Sequence, residues 1–447
     1  MYILYTWLLA FALLIFYIPY YFFHYRVRRR QKLYLKDRLG LNLKSLSPPD
    51  SQRPVLWFHA VSVGESLSLQ GLIRALRKKH PEYELNLSCL TSSGMEVASS
   101  KLKQVDRLFF IPFDFGFIHK KYFDYLHPDL LVLVESEYWP NLLRAARRRG
   151  CPILVINARM TEKVFRRYRR LKFLTSRLLN QVDKFLVPSE KEKQRLRLLG
   201  VGEDKIMISG NMKCDLELPS VTEEERQQLR RKFGFERLIF SRPVQVFMAG
   251  SIHQGEEEKI LRAFSLVRKE KRPYLLVIAP RHLDWVEEIV RLAHQYGFKC
   301  QRRTKLVEND LDERTKAQKV ASPPDWDVLV LDTIGELATW YALADVVLIG
   351  GSLIPWGGHN LLEPAFYGRP IYFGPYMHNF QELSDKFRHS GGAQMVQDEK
   401  ELARILVQTT EEEFRQKGKK AQLTLRELQG ATAIIISEIE KLIDKNG

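Results

Sequence analysis

The chain of 447 residues is 45% hydrophobic and 28% charged, and its 70 Lys and Arg against 53 Asp and Glu give a net charge of +17. That length exceeds one ordinary core and predicts two domains of roughly 150–250 residues each, while the composition excludes a disordered or collagen-like chain. Four scattered cysteines, Cys89, Cys151, Cys214 and Cys300, make no CxxC pair. They suggest neither a zinc site nor a disulfide framework, and they fit a reducing compartment.

Residues 1–25, "MYILYTWLLAFALLIFYIPYYFFHY", contain no Lys, Arg, Asp or Glu. About 20 apolar residues suffice for a membrane-spanning helix, and Tyr and Trp near its ends suit the interface. A basic n-region and a small-residue cleavage site are both missing, which argues against a cleaved signal peptide. Seven Lys or Arg follow between Arg26 and Arg38. The positive-inside rule then predicts a single-pass anchor in the inner (plasma) membrane, with everything after residue 25 in the cytoplasm.

Charge is uneven along the remainder. Residues 26–215 carry a net +18 and residues 216–447 a net −1. Runs such as "RRRG" (147–150) and "KVFRRYRRLK" (163–172) concentrate it further. Beside a membrane anchor, anionic lipid headgroups are a better partner for this basic half than nucleic acid, each Lys or Arg contributing ~1 kcal/mol near such a surface.

Short apolar runs alternate with helical patterns. In the first half they fall at 55–61, 84–90, 107–113, 129–135, 152–157, 184–189 and 205–210, and in the second at 244–250, 274–280, 327–332, 345–351, 370–374 and 393–397. Near-continuous apolarity predicts parallel strands covered on both faces. The change of charge near 215 and a Glu-rich helix start at 222–233 set the boundary, giving domains 26–215 and 216–447. A polar stretch at 302–325 reads as an exposed loop, and an amphipathic helical stretch over 410–445 packs back across both domains. Two doubly wound α/β domains side by side imply a cleft, and ligands in such sheets bind beyond the carboxyl ends of the strands.

Residues at those ends are chemically suggestive. Glu65 follows the first run, in "WFHAVSVGES", where Gly64 permits a turn into a helix. Glu135, Glu137, Trp139 and Pro140 follow the run at 129–134, and Lys213 follows 206–209. Gly250, Ser251 and His253 follow 245–249, and Pro280, Arg281 and His282 follow 275–279. Ile334, Gly335 and Glu336 open a helix, as do Gly357, Gly358, His359 and Asn360. Glycine turns at helix N-termini suit anions, Arg281 suits phosphate oxygens, and Glu363, one turn after Asn360, suits ribose hydroxyls. The second half therefore reads as a nucleotide-binding domain. No GxxxxGK[ST], third-glycine dinucleotide fingerprint or HExxH occurs. Asp310 with Asp312, and Asp325 with Asp327, form DxD pairs in or beside the polar loop that chance explains. His59, inside an apolar strand, reads as a core histidine.

The ordered set "HAVSVGE", "ESEYWPNL", "NARMT", "GNMKCD", "GSIHQGEEE", "APRH", "IGEL" and "GGHNLLEP" resembles that of bacterial 3-deoxy-D-manno-octulosonic acid (Kdo) transferases, from the anchor to about residue 400. The resemblance implies a GT-B fold. The acceptor, a lipid A precursor such as lipid IVA, would bind the N-terminal domain and the CMP-Kdo donor the C-terminal domain. It places a general base on Glu65 and transition-state stabilisation on Glu135 and Lys213. CMP contacts fall on Pro280, Arg281, Ile334, Gly335, Glu336, Asn360, Leu361, Leu362 and Glu363. Ser251 and His253 are further donor-site candidates, and no metal or cofactor is expected. Where many relatives have "SLKFD" or "NLKFD" this chain has "NMKCD", and "GGHNLLE" replaces "GGHNPLE". Asn360 and Glu363 survive the second change.

The implied reaction is an inverting, metal-independent transfer: Glu65 deprotonates a sugar hydroxyl of the acceptor, which attacks the anomeric carbon as CMP departs. Lys213, Arg281 and helix N-termini would stabilise the leaving phosphate. Glu135 opposes developing positive charge or orients the base. The rivals are another GT-B enzyme, a UDP-sugar transferase or epimerase, and a non-enzymatic membrane-tethered binding protein.

Overall fold

The computed structural model describes residues 2–17, 19, 34–50, 52–235, 238–306 and 326–445. They form two compact units, residues 1–215 with 428–447, and residues 216–427.

The first unit is built on a seven-stranded, wholly parallel sheet: β1 (Val55–Ala60), β2 (Glu84–Cys89), β3 (Arg107–Phe110), β4 (Leu130–Val134), β5 (Ile153–Ile156), β6 (Lys184–Val187) and β7 (Ile206–Ile208), in spatial order 3-2-1-4-5-6-7. All residues of β1, β2, β4 and β5 are buried, as expected where helices cover both faces. Trp57, Leu131 and Leu133 join the core on one face. Leu56, Phe58, Val132 and Val134 join the other. Strand order reverses between β1 and β4, so a crevice opens at their carboxyl ends.

The second unit repeats the plan. Its sheet, in order β12-β13-β11-β10-β14-β15-β16, is also parallel. The strands are β10 (Gln245–Ile252), β11 (Tyr274–Pro280), β12 (Cys300–Arg302), β13 (Val328–Val330), β14 (Val346–Ile349), β15 (Ile371–Phe373) and β16 (Ala393–Met395), after a two-stranded hairpin, β8 (Leu238–Ile239) with β9 (Arg242–Pro243). Here the order reverses between β10 and β14. Both units are thus doubly wound α/β domains, as the apolar runs predict.

Three expectations need correction. The stretch over 410–445 is two helices, Glu411–Leu428 and Ala431–Asp444, parted at Gly430 with φ 111°. The second helix belongs to the first unit, not to a second domain running to residue 447. Its Ile435, Ile436 and Ile439 pack with Leu69, Leu72 and Met212, and the Asp215 carboxylate accepts the Gly430 and Thr432 N–H groups at 2.7 and 2.5 Å.

The polar stretch expected as a loop begins one residue inside the edge strand β12, which is three half-buried residues and too polar to stand out. A 3-10 turn, Arg303–Lys305, follows, and residues 307–325, with Asp310, Asp312 and Asp325, lie outside the described residues. Asp327 has a structural task, taking Arg268 Nη2 at 2.7 Å.

The third correction concerns the anchor. Among the described residues no helix is long and apolar enough to cross a membrane. The helix Tyr2–Ala12 is 11 residues, about 16 Å at 1.5 Å per residue, and a π-helical turn, Leu13–Tyr17, follows. Its polar side chains fasten it to the first unit. Thr6 Oγ1 accepts from Asn141 Nδ2 at 3.1 Å, Tyr2 Oη accepts from Gln181 Nε2 at 2.7 Å, and Arg144 stacks over the Tyr2 ring at 4.7 Å. The rest of the expected anchor and the basic stretch at 26–33 fall mainly outside the described residues.

Candidate active site

In the first unit the strand-end residues gather at the β1/β4 reversal. The helix Val63–Lys79 starts there because Ser62 caps it, its side chain accepting the Glu65 N–H at 3.3 Å. The Glu65 carboxylate folds back over the same turn, taking the Val61 N–H at 2.7 Å on one oxygen and the Ser62 hydroxyl at 2.9 Å on the other. "SVGE" is thus an S-x-x-E cap as well as a candidate base. Glu65 is buried. Burial raises its pKa, and the Glu135 charge adds to this, while Val61, Ser62 and Lys213 oppose.

Glu135 ends β4 with φ 63°, a left-handed backbone that costs a non-glycine residue free energy. Its Oε1 receives Arg159 Nη2 at 2.5 Å, Lys213 Nζ at 3.5 Å and Asn157 Nδ2 at 3.5 Å. Asn157, at the end of β5, also has a positive φ of 51°. Lys213 stands on a 3-10 turn, Met212–Cys214, whose first N–H groups are capped by Asn211. Burial lowers the Lys213 pKa, with Arg159 adding to the shift and Glu135 opposing it. Glu137 bonds Trp139 Nε1 at 2.8 Å, and burial raises its pKa as well. Three carboxylates and two cations therefore share one strand-end crevice, and Glu65 and Glu137, raised by burial, are suited to proton abstraction near neutral pH. A cavity of about 380 Å³ adjoins them, lined by Tyr5, Leu9, Leu13, Arg38, Glu137 and Trp139. His59 lies apart as a core residue. It is wholly buried with Nδ1 on Ser88, and burial lowers its pKa to about 4.

In the second unit, the residues expected to bind nucleotide follow four adjacent strands, β13, β11, β10 and β14. Ser251, with φ 57°, is the penultimate residue of β10, and His253 follows the strand. His253 Nε2 meets His359 Nε2 at 2.7 Å, and the exposed Trp356 stacks on His253 at 4.4 Å. Burial lowers the pKa of both histidines, His359 to about 4. Glu256, fully buried, takes four main-chain N–H groups: His253 at 2.9 Å, Gly351 at 2.6 Å, Ser352 at 3.0 Å and Leu353 at 2.9 Å. One carboxylate thus holds both loops that flank the strand reversal. Asn360 caps the short helix Leu362–Phe366 through the Leu362 N–H at 3.1 Å and donates to Glu363 at 3.2 Å. Leu361 and Leu362 are buried, so any ligand contact there is main-chain. Arg281 is exposed and its N–H bonds Ile252 O at 2.9 Å. Ile334 is exposed too. Glu336 is held by Arg303 at 3.0 Å and Thr333 at 2.7 Å. Among the described residues no group of three His, Cys, Asp or Glu side chains is placed to hold a metal ion.

Arg159, Asn157 and Glu256 had no assigned role in the sequence. Arg159 and Asn157 follow a strand directly, the position that singled out the others, while Glu256 sits among three consecutive glutamates with nothing to separate it.

Comparison with known proteins agrees with this layout. Residues 34–216 match the family described as 3-deoxy-D-manno-octulosonic-acid transferase (kdotransferase). A bifunctional glycosyltransferase/methyltransferase of Fusobacterium nucleatum is 30% identical over 80% of this chain, which spans about half (52%) of that relative's length. The 3-deoxy-D-manno-octulosonic acid transferase of Chlamydophila psittaci is 30% identical over 79% of this chain and 76% of its own. A solved UDP-GlcNAc 2-epimerase from Neisseria meningitidis, bound to UDP-GlcNAc, superposes with a TM-score of 0.56 over 87% of this chain and 100% of its own. At 14% identity it shows only the shared GT-B type of fold. The chain belongs to the 3-deoxy-D-manno-octulosonic acid transferase family.

Proposed function

We propose that the protein transfers Kdo from CMP-Kdo to a phosphorylated lipid A precursor, lipid IVA, in lipopolysaccharide core biosynthesis. The observation that carries this reading is the grouping of Glu65, Glu135, Glu137, Arg159 and Lys213 at the strand reversal of the first unit, in a chain of this family. Glu65 is the general base. Its raised pKa suits removal of a sugar hydroxyl proton, assistance worth about 10²–10⁴-fold. To act, one carboxylate oxygen must exchange its Val61 or Ser62 partner for the acceptor. Glu135, fixed by Arg159 and Lys213, opposes positive charge at the anomeric carbon, and Lys213 stabilises the transition state.

On the donor side, Arg281 and the helix start at Ile334–Glu336 face the phosphate, and Asn360 and Glu363 hold the ribose. Burial raises the Glu363 pKa, which an incoming hydroxyl donor would offset. Protein cations and helix N-termini carry the charge stabilisation in a metal-independent, inverting displacement.

The acceptor is acylated, and the surface of the first unit suits a bilayer. The helix Tyr2–Ala12 binds the protein by one side and exposes Ile3, Trp7, Leu8 and Phe11 on the other, while Phe117, Leu171 and Phe173 are exposed nearby in sequence to basic residues. Its free side, apolar and without charge, suits contact with the apolar boundary of a bilayer. We place the protein on the cytoplasmic face of the inner membrane, with the N-terminal segment as its attachment.

Mass spectrometry of the product from CMP-Kdo and a tetraacylated lipid A precursor tests the reading, and no Kdo addition would overturn it. Thermal protection by CMP rather than UDP separates it from a UDP-sugar enzyme of the same fold.

A further inference from the structure

At the amino ends of β10, β14 and β15, opposite the candidate nucleotide residues, the second unit encloses a cavity of about 550 Å³. Four arginines line it, Arg226, Arg230, Arg369 and Arg415, together with Asp345. Arg226 and Arg230, on the helix Glu223–Lys232, converge on that one carboxylate at 2.5 and 3.1 Å. Burial opposes ionisation of Asp345, but the two guanidinium groups outweigh it and hold its pKa below the carboxylate range. Asp345 also takes the Val246 N–H at 2.8 Å, so its bonds go to Arg226, Arg230 and the main chain, and none to Arg369 among the described residues.

Arg369 is left over. Its guanidinium has no ion pair or side-chain hydrogen bond among the described residues, and its Nε is fully enclosed without a partner. Burial, with Arg226 beside it, brings its pKa down to about 10. Asp345 and Glu223 lend Arg369 charge through space but no hydrogen bond, so an anion bonding the guanidinium directly would relieve the cost of its enclosed, unpartnered Nε. The remaining carboxylates of the lining, Glu223 and Glu411, are exposed.

The wall that presents Arg369 is rigid. The turn Tyr367–Pro370 lies under the helix Glu411–Leu428 so closely that a Cβ on Gly418 would stand 2.0 Å from Gly368 O. Gln422 Nε2 donates to Phe366 O at 2.9 Å across the same contact. Guanidinium groups recognise phosphate oxygens in bidentate fashion, and the volume lies within the 300–1,000 Å³ of small-molecule sites.

We propose that this cavity is a second anion site, taking the phosphate group of a small soluble metabolite, with Arg369 and Arg415 as its direct ligands and Arg226 and Arg230 as its fixed positive wall. The Arg369 turn directly follows the helix Leu362–Phe366 that carries Glu363, so occupancy bears on the position of that helix.

Isothermal titration of the full chain with inorganic pyrophosphate, with CMP at saturation, tests the site. One saturable event is expected, weakened at least about tenfold in Arg369→Gln and a few-fold in Arg415→Ala. Arg415 is exposed and, among the described residues, paired only with Glu412 at 3.3 Å, so its variant remains readable if Arg369→Gln does not fold. Phosphatidic acid vesicles should not displace the pyrophosphate. Absence of saturable binding, loss of binding when CMP is present, displacement by vesicles, or wild-type affinity in the folded variants would each overturn the proposal.

Discussion

Arg159 Nη2 donates to Glu135 Oε1 at 2.5 Å, the same oxygen that Lys213 approaches at 3.5 Å. A carboxylate on a left-handed residue at a strand end is thereby fixed by two cations from two other strand ends. The arrangement makes Arg159 a positioning residue for Glu135 and a source of the positive field that lowers the Lys213 pKa. Arg159→Ala should reduce turnover about 10²-fold with little change in KM for the donor, and Arg159→Lys should recover only part of it, because an ammonium lacks the planar fork. Steady-state kinetics with both substrates check this. A rise in donor KM at unchanged turnover would show that Arg159 serves binding instead.

On the proposed reading Glu65 is both the general base and part of the helix cap. Glu65→Gln should lower turnover about 10²–10⁴-fold while CMP still binds. The folded pKa of Glu65 is raised, so the native state holds its proton to higher pH than the unfolded chain. The group's contribution to stability is therefore present in acid and is lost as pH rises through the shifted value. The stability of Glu65→Gln relative to the parent should consequently grow as pH increases from the acid side. Ser62→Ala removes a bond that opposes the shift. It should cost about 1 kcal/mol and move the acid limb of the rate profile to higher pH. An unmoved limb would dissociate that titration from Glu65.

The strand ends were legible in the sequence because parallel, doubly covered strands are apolar throughout and stop abruptly. β1, β4, β10 and β14 all do so; Glu135 and His253 follow their strands at once, Glu65 stands in the first turn of the helix after β1, and Asn360 lies at the far end of the loop after β14. The edge strand β12 was hidden, since Cys300, Gln301 and Arg302 form no apolar run. The return of the helix Ala431–Asp444 to the first unit agrees with the expectation that 410–445 packs across both domains, but amphipathic periodicity did not place the change of unit at residue 428. Of the expected anchor, residues 2–17 and 19 are among those described, and no helix there is long and apolar enough to cross a membrane. Hydropathy counts apolar residues without noticing that Tyr2, Tyr5 and Thr6 share a face with protein partners.

Glu256 offers a test that depends on the second unit alone. Its carboxylate collects four N–H groups from the loops after β10 and β14, and all four lose their acceptor in Glu256→Ala. A buried donor left unmade costs about 1–3 kcal/mol, so even with water replacing some of them the loss should be about 3 kcal/mol or more. CMP affinity should fall with it, because Asn360 and Glu363 continue the loop that Glu256 pins. Denaturant midpoints and CMP titration measure the two effects. A destabilised variant with unaltered CMP affinity would separate the 351–353 loop from nucleotide binding.

The N-terminal helix makes the last test, since its two sides are assigned opposite tasks. Trp7 and Phe11 are 72% and 59% exposed, so replacing both by Glu should leave the folded units intact while removing apolar surface and adding charge repelled by anionic lipid. Co-sedimentation with phosphatidylglycerol vesicles should weaken at least about tenfold. Salt should weaken the parent's binding through the basic residues, because exposed charges are screened over about 8 Å at physiological ionic strength. In contrast, Gln181→Ala and Asn141→Ala act on the protein-facing side. By releasing Tyr2 and Thr6 of the helix from their partners they should raise its protease sensitivity without abolishing vesicle binding. Equal vesicle binding by the parent and the Trp7/Phe11 double variant would remove the helix from the membrane surface and leave the basic residues as its only contact.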